Sequence, residues 1–326
     1  MPHPENPDAV CIFCGNTRNS FKYPTHDMLE NDYELRQCLE CGCWFLFPMP
    51  TDEILSKAYD TSYYGAEQHK FGVKPVAKFI DNFRGKRAAG IARLLKENQC
   101  ALDIGCGRGD FLRHLSSYGN FNLYGIERSE TALVKSGENN NIHILSRALS
   151  ETDFPDDFFD VVTMFHVFEH LTEPKKTLEI ISSILKPGGH LVISIPNIGS
   201  WQARWFKGKW LHLDPPRHLL FFEPRDFFEV MKKLNFSIEK VNYYSLEQNP
   251  YGWFQSLMNV FTQKREVLFE RLKGNKVYAP EYGKLNILFQ KFILVLTLPF
   301  FVFLSLFESF FGKGGTVKFV FKNSKP

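Results

Sequence analysis

Between residues 99 and 245, short apolar runs alternate with stretches of helical period, and this alternation constrains the fold more than any other feature of the chain. Strands alternating with helices are the signature of βαβ units, and so of a mostly parallel sheet covered by helices on both faces. The pattern predicts strands over 101–104, 122–126, 142–145, 160–165, 190–195 and 237–244. Helices are expected over 110–117, from 131 to 136, over 173–185 and over 224–234, with Lys186-Pro187-Gly188-Gly189 stopping the third. A seventh strand is expected over 316–322, opened by Gly314-Gly315. The fold class is therefore α/β, a doubly wound seven-stranded Rossmann-like sheet.

The rest of the 326 residues arranges itself around that core. Residues 1–50 read as a small cysteine-bearing module, 51–98 as a linker with helices, 99–245 as the core with a lid at 197–220, 246–315 as an amphipathic and apolar helical insertion, and 316–326 as the last strand and tail. Net charge is +3, from 39 basic and 36 acidic residues, which disfavours a nucleic-acid binder. Residues 1–9 are polar and hold no apolar run, so a cytoplasmic, reducing setting is expected. Clustered cysteines then read as metal ligands rather than disulfides. Cys11-x2-Cys14 and Cys38-x2-Cys41 form two knuckles 23 residues apart, each followed by glycine. Four thiolates from two tight turns suit a tetrahedral structural Zn2+, with Cys43 a competitor for the place of Cys41. Asp27, Glu30, Asp32 and Glu34 between the knuckles argue against a phosphate-facing surface.

The first strand runs into Leu102-Asp103-Ile104-Gly105-Cys106-Gly107-Arg108-Gly109 and then a helix. Glycines at such a turn let backbone approach a ligand at the helix start. Glu127 ends the next strand, where a carboxylate accepts hydrogen bonds from two ribose hydroxyls. The spacing is G-x-G-x-G with Asp103 before it, not the dinucleotide G-x-G-x-x-G. A pyrophosphate is repelled by a carboxylate there, whereas an ammonium group is not.

Four segments in order then make a resemblance specific: Leu102–Gly109, Tyr124-Gly-Ile-Glu127, the run 154–162, and Leu185-Lys-Pro-Gly-Gly-His-Leu191. Residues 100–245 resemble class I S-adenosylmethionine-dependent methyltransferases. With the two CxxCG knuckles and Asp214-Pro-Pro-Arg-His-Leu219, the chain is similar to a bacterial subgroup carrying a zinc-binding N-terminal module. The resemblance implies S-adenosyl-L-methionine as cofactor. It implies Asp103, Gly105, Cys106 and Gly107 at the methionine end, Glu127 on the ribose, Ala148 and Leu149 beside adenine, and Phe165 with His166 closing the pocket.

On the acceptor side, His166-Val-Phe-Glu169-His170 spells the H-x-x-E-H of a zinc protease, but that motif needs one helix and His166 falls at a strand end. His166 reads instead as a general base or substrate contact. The lid is dense in Trp and His: Trp201, Trp205, Trp210, His212 and His218. Such a connection is expected to cover the pocket, with His212 or His218 as base and Arg217 orienting an anionic acceptor. The competing reading is a buried aromatic cluster with an Arg217–Asp214 pair.

Phenylalanine is over-represented, at 33 residues, and ten of these lie in 285–326 with five lysines and the single acid Glu308. The apolar run 292–307 is 16 residues long with Pro299 inside, short of the roughly 20 needed to span a bilayer. It reads as a re-entrant or interfacial helix pair docking 285–311 on the inner membrane face, against a buried core helix. The expected function is methylation of oxygen on a glycan, lipid-linked or small-metabolite acceptor. The rivals are a Rossmann dehydrogenase, which Asp103 disfavours, and a non-catalytic scaffold that keeps the fold and interacts through the zinc module.

Overall fold

The structure is a computed structural model and describes residues 6–59, 74–128, 141–272 and 279–325. The helix expected from 131 to 136 lies outside the described residues. Eleven strands are present among those described: β1 (Asn19–His26), β2 (Asp32–Cys38), β3 (Trp44–Phe47), β4 (Cys100–Ile104), β5 (Asn122–Glu127), β6 (Ile142–Ser146), β7 (Phe159–Phe165), β8 (Leu185–Pro196), β9 (Leu220–Phe221), β10 (Phe236–Asn242) and β11 (Thr316–Asn323). They form two sheets, β1-β2-β3-β9 and β10-β11-β8-β7-β4-β5-β6.

The contacts divide the chain into two compact units that interleave along the sequence. One gathers 79–195, 228–241 and 318–326. The other gathers 1–78, 196–227 and 242–317. The lid and the insertion thus join the cysteine module, a grouping that the linear segmentation at 50, 98, 245 and 315 did not anticipate.

The first unit carries the seven-stranded sheet. β4–β5, β5–β6, β4–β7 and β7–β8 all pair in parallel, as the βαβ alternation requires. β4 is central because its residues Ala101, Leu102 and Ile104 are buried on both faces. Ile91, Leu95, Phe111, Leu112, Leu115 and Leu123 form a core against it. The helix Pro174–Ile184 opens with proline at its first turn and buries Leu178, Ile181 and Ile184, spaced three residues apart on one face. β8 then begins at Leu185, five residues earlier than expected. Phe159 faces Leu185 while Val161 faces His190, so Lys186–Gly189 is a bulged excursion inside the strand rather than a loop before it.

The second unit is built on the antiparallel hairpin β1–β2 and its neighbour β3. β9 adds to the edge of β3, Trp44 opposite Phe221 and Phe45 opposite Leu220. The lid therefore completes the module's sheet, and Leu35, Ile198, Ala203, Trp210, Leu213 and Phe221 share one core. The connection from β10 to β11 supplies the helices Asn249–Phe261, Val267–Leu272 and Lys284–Phe310. Trp253, Phe254, Leu268 and Phe301 pack together between them. Buried Arg265 ties this connection to the module, donating to the carbonyl oxygens of Gly208 and Trp210 and lying 3.4 Å from the Thr25 hydroxyl. The apolar segment is one continuous helix of 27 residues, with Pro299 inside it, and not a helix pair.

Candidate functional site

The glycine turn after β4 and the end of β5 meet as the sequence suggests. Gly105, Gly107 and Gly109 all adopt left-handed backbone, with φ of 72°, 55° and 73°. At Gly105 a side chain is also excluded by space, since a Cβ would fall 2.3 Å from Val167 Cγ2. At Gly107 a Cβ would meet nothing within 4 Å, so the backbone there faces open space. The Gly107 N–H donates to Glu127 Oε2 at 3.0 Å, which clamps the turn to the end of β5. The open backbone and the carboxylate beside it fit a ribose-bearing ligand such as S-adenosylmethionine.

Asp103 faces Thr163 across the β4–β7 ladder, and the Thr163 hydroxyl donates to its Oδ1 at 2.6 Å. Burial pushes the Asp103 carboxyl up to about 7, against the pull of that hydrogen bond and of Arg87, with Glu127 adding a little. Asp103 is only 4% exposed, and its carboxylate is engaged by the neighbouring strand. The Cys106 thiol points into the core, where a Cβ on Gly125 would lie 2.6 Å from its sulfur. Cys106 therefore offers a ligand backbone only. Phe165 packs edge-on against Phe111 at 5.3 Å, and the Arg87 guanidinium lies 5.2 Å from its ring centre. Ala148 is exposed, and Leu149 lines a surface hollow with Ser150, Glu173, Lys176 and Ile180.

Just past β7 the chain turns sharply at His166, whose φ is +57°. Its N–H donates to the Ser194 carbonyl at 2.9 Å, as though continuing the ladder. Its Nδ1 lies 3.3 Å from Glu169 Oε1, and its Nε2 lies 3.5 Å from the Ser194 hydroxyl. Glu169 is 1% exposed. His166 thus stands beside the glycine turn, because the next residue, Val167, is the one that covers Gly105. Glu169 and His170 belong to a short 3-10 turn, Phe168–His170, and His166 does not. The protease geometry is absent from this segment. Thr163 is a site residue that residue-by-residue reading passed over, and Glu169 was named only within the rejected protease motif. The signal for Glu169 was the i, i+3 spacing from His166, and for Thr163 only the strand register.

In the other unit, the lid residues form an interior network. His218 Nδ1 lies 2.7 Å from the carbonyl oxygen of His212. The His212 ring stacks edge-on to Trp210 at 5.5 Å and abuts Gly252, where a Cβ would come within 3.0 Å of Nε2. Arg217 is 3% exposed and grips Asp214 with both arms, at 3.0 and 2.6 Å, with Glu266 at 3.9 Å. Burial, then Asp214, pushes Glu266 up to about 7, and Arg265 and Arg217 counter it. A guanidinium already held by Asp214 is not poised for an anionic acceptor. This corrects the expectation for Arg217: the competing reading, a buried cluster with an Arg217–Asp214 pair, describes its side chain.

The four knuckle cysteines converge. Cys11 and Cys41 sulfurs are 3.7 Å apart, Cys14 and Cys38 sulfurs 3.6 Å, and all four lie within 4.8 Å of one another. A tetrahedron with Zn–S bonds of ~2.3 Å has edges of ~3.8 Å, so the donor set fits zinc. Cys43 is fully buried beside the Cys11 and Cys41 thiols, its own thiol also 3.5 Å from the Trp44 carbonyl. Gly15 and Gly42 turn the knuckles with φ near 74° and 73°.

In chain order of appearance the sheet strands run 3-2-1-4-5-7-6, and a glycine turn with an acidic second strand sits at the carboxyl ends. That combination defines a Rossmann-like methyltransferase fold. The chain belongs to the family described as "Methyltransferase domain", whose profile matches residues 79–241, half of the chain. It is 31% identical over 137 residues to the ubiquinone/menaquinone biosynthesis C-methyltransferase of Vibrio vulnificus, covering 36% of this chain and 53% of that protein. The chain thus spans about half the length of the curated relatives it matches. The corresponding protein of Pectobacterium atrosepticum is 32% identical over 108 residues, covering 30% of this chain and 43% of its own. Among solved structures, one described as a sarcosine dimethylglycine methyltransferase from Galdieria sulphuraria aligns with a TM-score of 0.51 at 16% identity, covering 82% of this chain and 98% of its own. That likeness supports the fold.

Proposed function

We propose that this chain transfers a methyl group from S-adenosylmethionine to an oxygen of a glycan, lipid-linked or small-metabolite acceptor. The observation that carries the reading is His166, held against Glu169 beside the Gly105 turn. When bound, the cofactor supplies an electrophilic methyl on a sulfonium, already a good leaving group. The chain's task is then placement and proton handling. Glu127 would accept hydrogen bonds from the ribose hydroxyls, and the open backbone at Gly107 would face the ligand. Asp103, held by the Thr163 hydroxyl at the end of β4, would lie toward the ammonium group. Glu169 orients the imidazole through Nδ1. Nε2 is then the atom that takes the acceptor's hydroxyl proton as the C–O bond forms.

A second reading follows from the Vibrio relative's description as a C-methyltransferase. In it the same imidazole removes a proton from an activated carbon. Methyl transfer across panels of sugar, phenol and quinol acceptors distinguishes the two by the product bond. The His166→Gln variant should lose about 10²–10⁴-fold in kcat while binding S-adenosylhomocysteine as tightly as before. An unchanged kcat removes the base from the mechanism. No turnover on any panel, with S-adenosylhomocysteine still bound, supports a scaffold. Tight NAD binding without S-adenosylhomocysteine binding supports a dehydrogenase. The cysteine module is proposed to hold one structural Zn2+ through Cys11, Cys14, Cys38 and Cys41.

A further inference from the structure

The helix Lys284–Phe310 is inside out by the standards of a soluble protein. The face it turns inward, toward the helix Asn249–Phe261, carries Gln290, Thr297, Ser305 and Glu308 around Phe301. Glu308 is fully buried there, accepting from Gln202 Nε2 at 2.9 Å and from Trp253 Nε1 at 3.0 Å. The outward face is apolar along its middle, with Lys284, Asn286 and Lys291 exposed at its margins. Twelve large apolar side chains of this helix are exposed, among them Leu285 at 83%, Phe292 at 62%, Val295 at 73%, Phe303 at 67% and Phe310 at 84%. At 100° per residue their outward core, with Pro299, fills an arc of roughly 140° along ~40 Å of helix without one polar group. Only 11% of the helix's most apolar stretch is buried, so the core-helix reading is overturned. Water-soluble monomers rarely leave so long a patch uncovered.

We infer that this face lies in the surface of a lipid bilayer, parallel to its plane. Three observations favour lipid over a protein partner. Polar seam inward and apolar face outward is the polarity that a lipid environment selects. The outward arc offers no hydrogen-bonding group, whereas protein interfaces carry about one hydrogen bond per 100–200 Å2. The charged groups on and beside the helix are Lys284, Lys291 and Lys313 against the single exposed acid Glu281, a net positive set, and its own acid, Glu308, is turned inward, which complements an anionic leaflet. Topology sets the orientation. The connection leaves the sheet at β10 and returns at β11, its neighbour, so a single crossing would strand its two ends on opposite sides. At 27 residues the helix is long enough to span, but only an in-plane placement keeps both ends with one sheet. Of the three acceptor classes proposed above, a bilayer surface favours the lipid-linked one. The placement itself stands independently of that reading.

Co-sedimentation of the full chain with phosphatidylcholine vesicles, with and without phosphatidylglycerol, tests the inference. Binding is expected, stronger on the anionic vesicles and weakened by salt. The double variant Leu296→Glu, Phe303→Glu places charge on the outward face only. It should bind vesicles about 100-fold more weakly while keeping its circular dichroism and its affinity for S-adenosylhomocysteine. Wild-type protein that ignores both vesicle types overturns the inference. So does a variant that binds them as well as wild type. If wild type sediments as a dimer that the variant breaks, with vesicle binding unaffected, the face belongs to a second copy of the chain and the lipid inference falls. Soluble-acceptor turnover, assayed in parallel without vesicles, reads the methyl-transfer proposal separately.

Discussion

At the scale of single residues, two carboxylates flank the glycine turn, and the proposed cofactor role gives each a separate test. Glu127 ends β5 and accepts from the Gly107 N–H, so its removal frees the turn and, on the proposed reading, takes away the acceptor for the ribose. Glu127→Ala should weaken S-adenosylhomocysteine binding by about 10–100-fold, the worth of one or two hydrogen bonds to a charged group, as read by calorimetry. Asp103 plays the opposite part, since burial raises it to about 7. An unfolded aspartate titrates near ~3.9. Between those values the folded state keeps a proton that the unfolded chain has released, so Asp103 makes stability fall as pH rises from about 4 through 7. In Asp103→Asn, whose carbonyl still accepts from Thr163, denaturant unfolding should show a shallower fall over that window than wild type. Identical slopes in the two proteins would show that Asp103 titrates normally. Of this site, the glycine turn and Glu127 were legible because their chemistry depends on position along the chain. The burial of Asp103, the inward thiol of Cys106 and the pairing of Arg217 with Asp214 were not. Each is set by a neighbour that only strand register or packing brings close.

At the scale of elements, the cysteine knuckles and β9 depend on one another. β9 completes the sheet begun by β1–β3, and Leu35 of β2 shares a core with Phe221 of β9. The module's own core is small, so its stability should rest on metal. The purified chain should contain one zinc per molecule. A strong chelator, or Cys14→Ser, should lower the melting temperature by several degrees, while S-adenosylhomocysteine affinity changes by less than twofold. A metal-free chain with an unaltered melting temperature would leave the cysteines without a structural ion. The knuckles were readable from spacing alone. That the lid supplies the fourth strand was not, because a two-residue strand has no periodicity to detect. The long apolar helix shows the same limit from the other side. Its sequence pattern suggested a break at Pro299, yet the helix continues through it from Lys284 to Phe310.

At the scale of the whole molecule, two interleaved units share one chain, and ligand binding provides the cleanest global readout. S-adenosylhomocysteine at about 100 times its dissociation constant should stabilise the folded chain by about 2.7 kcal/mol, and NAD at the same concentration should not. Equal shifts from both ligands, or a shift from NAD alone, would point to a dinucleotide site. The sequence by itself determined the α/β core, the succession of its strands along the chain, the glycine turn with its acidic partner, and the convergence of four cysteines. These follow from local periodicity, turn chemistry and ligand spacing, which act over a few residues. Only the tertiary structure decided that lid, insertion and cysteine module form one unit, and that the lid's Arg and His are interior groups. It also decided which face of the apolar helix is turned out. Those outcomes depend on pairings between segments as much as 240 residues apart, such as Arg265 with Thr25, and no local pattern encodes them.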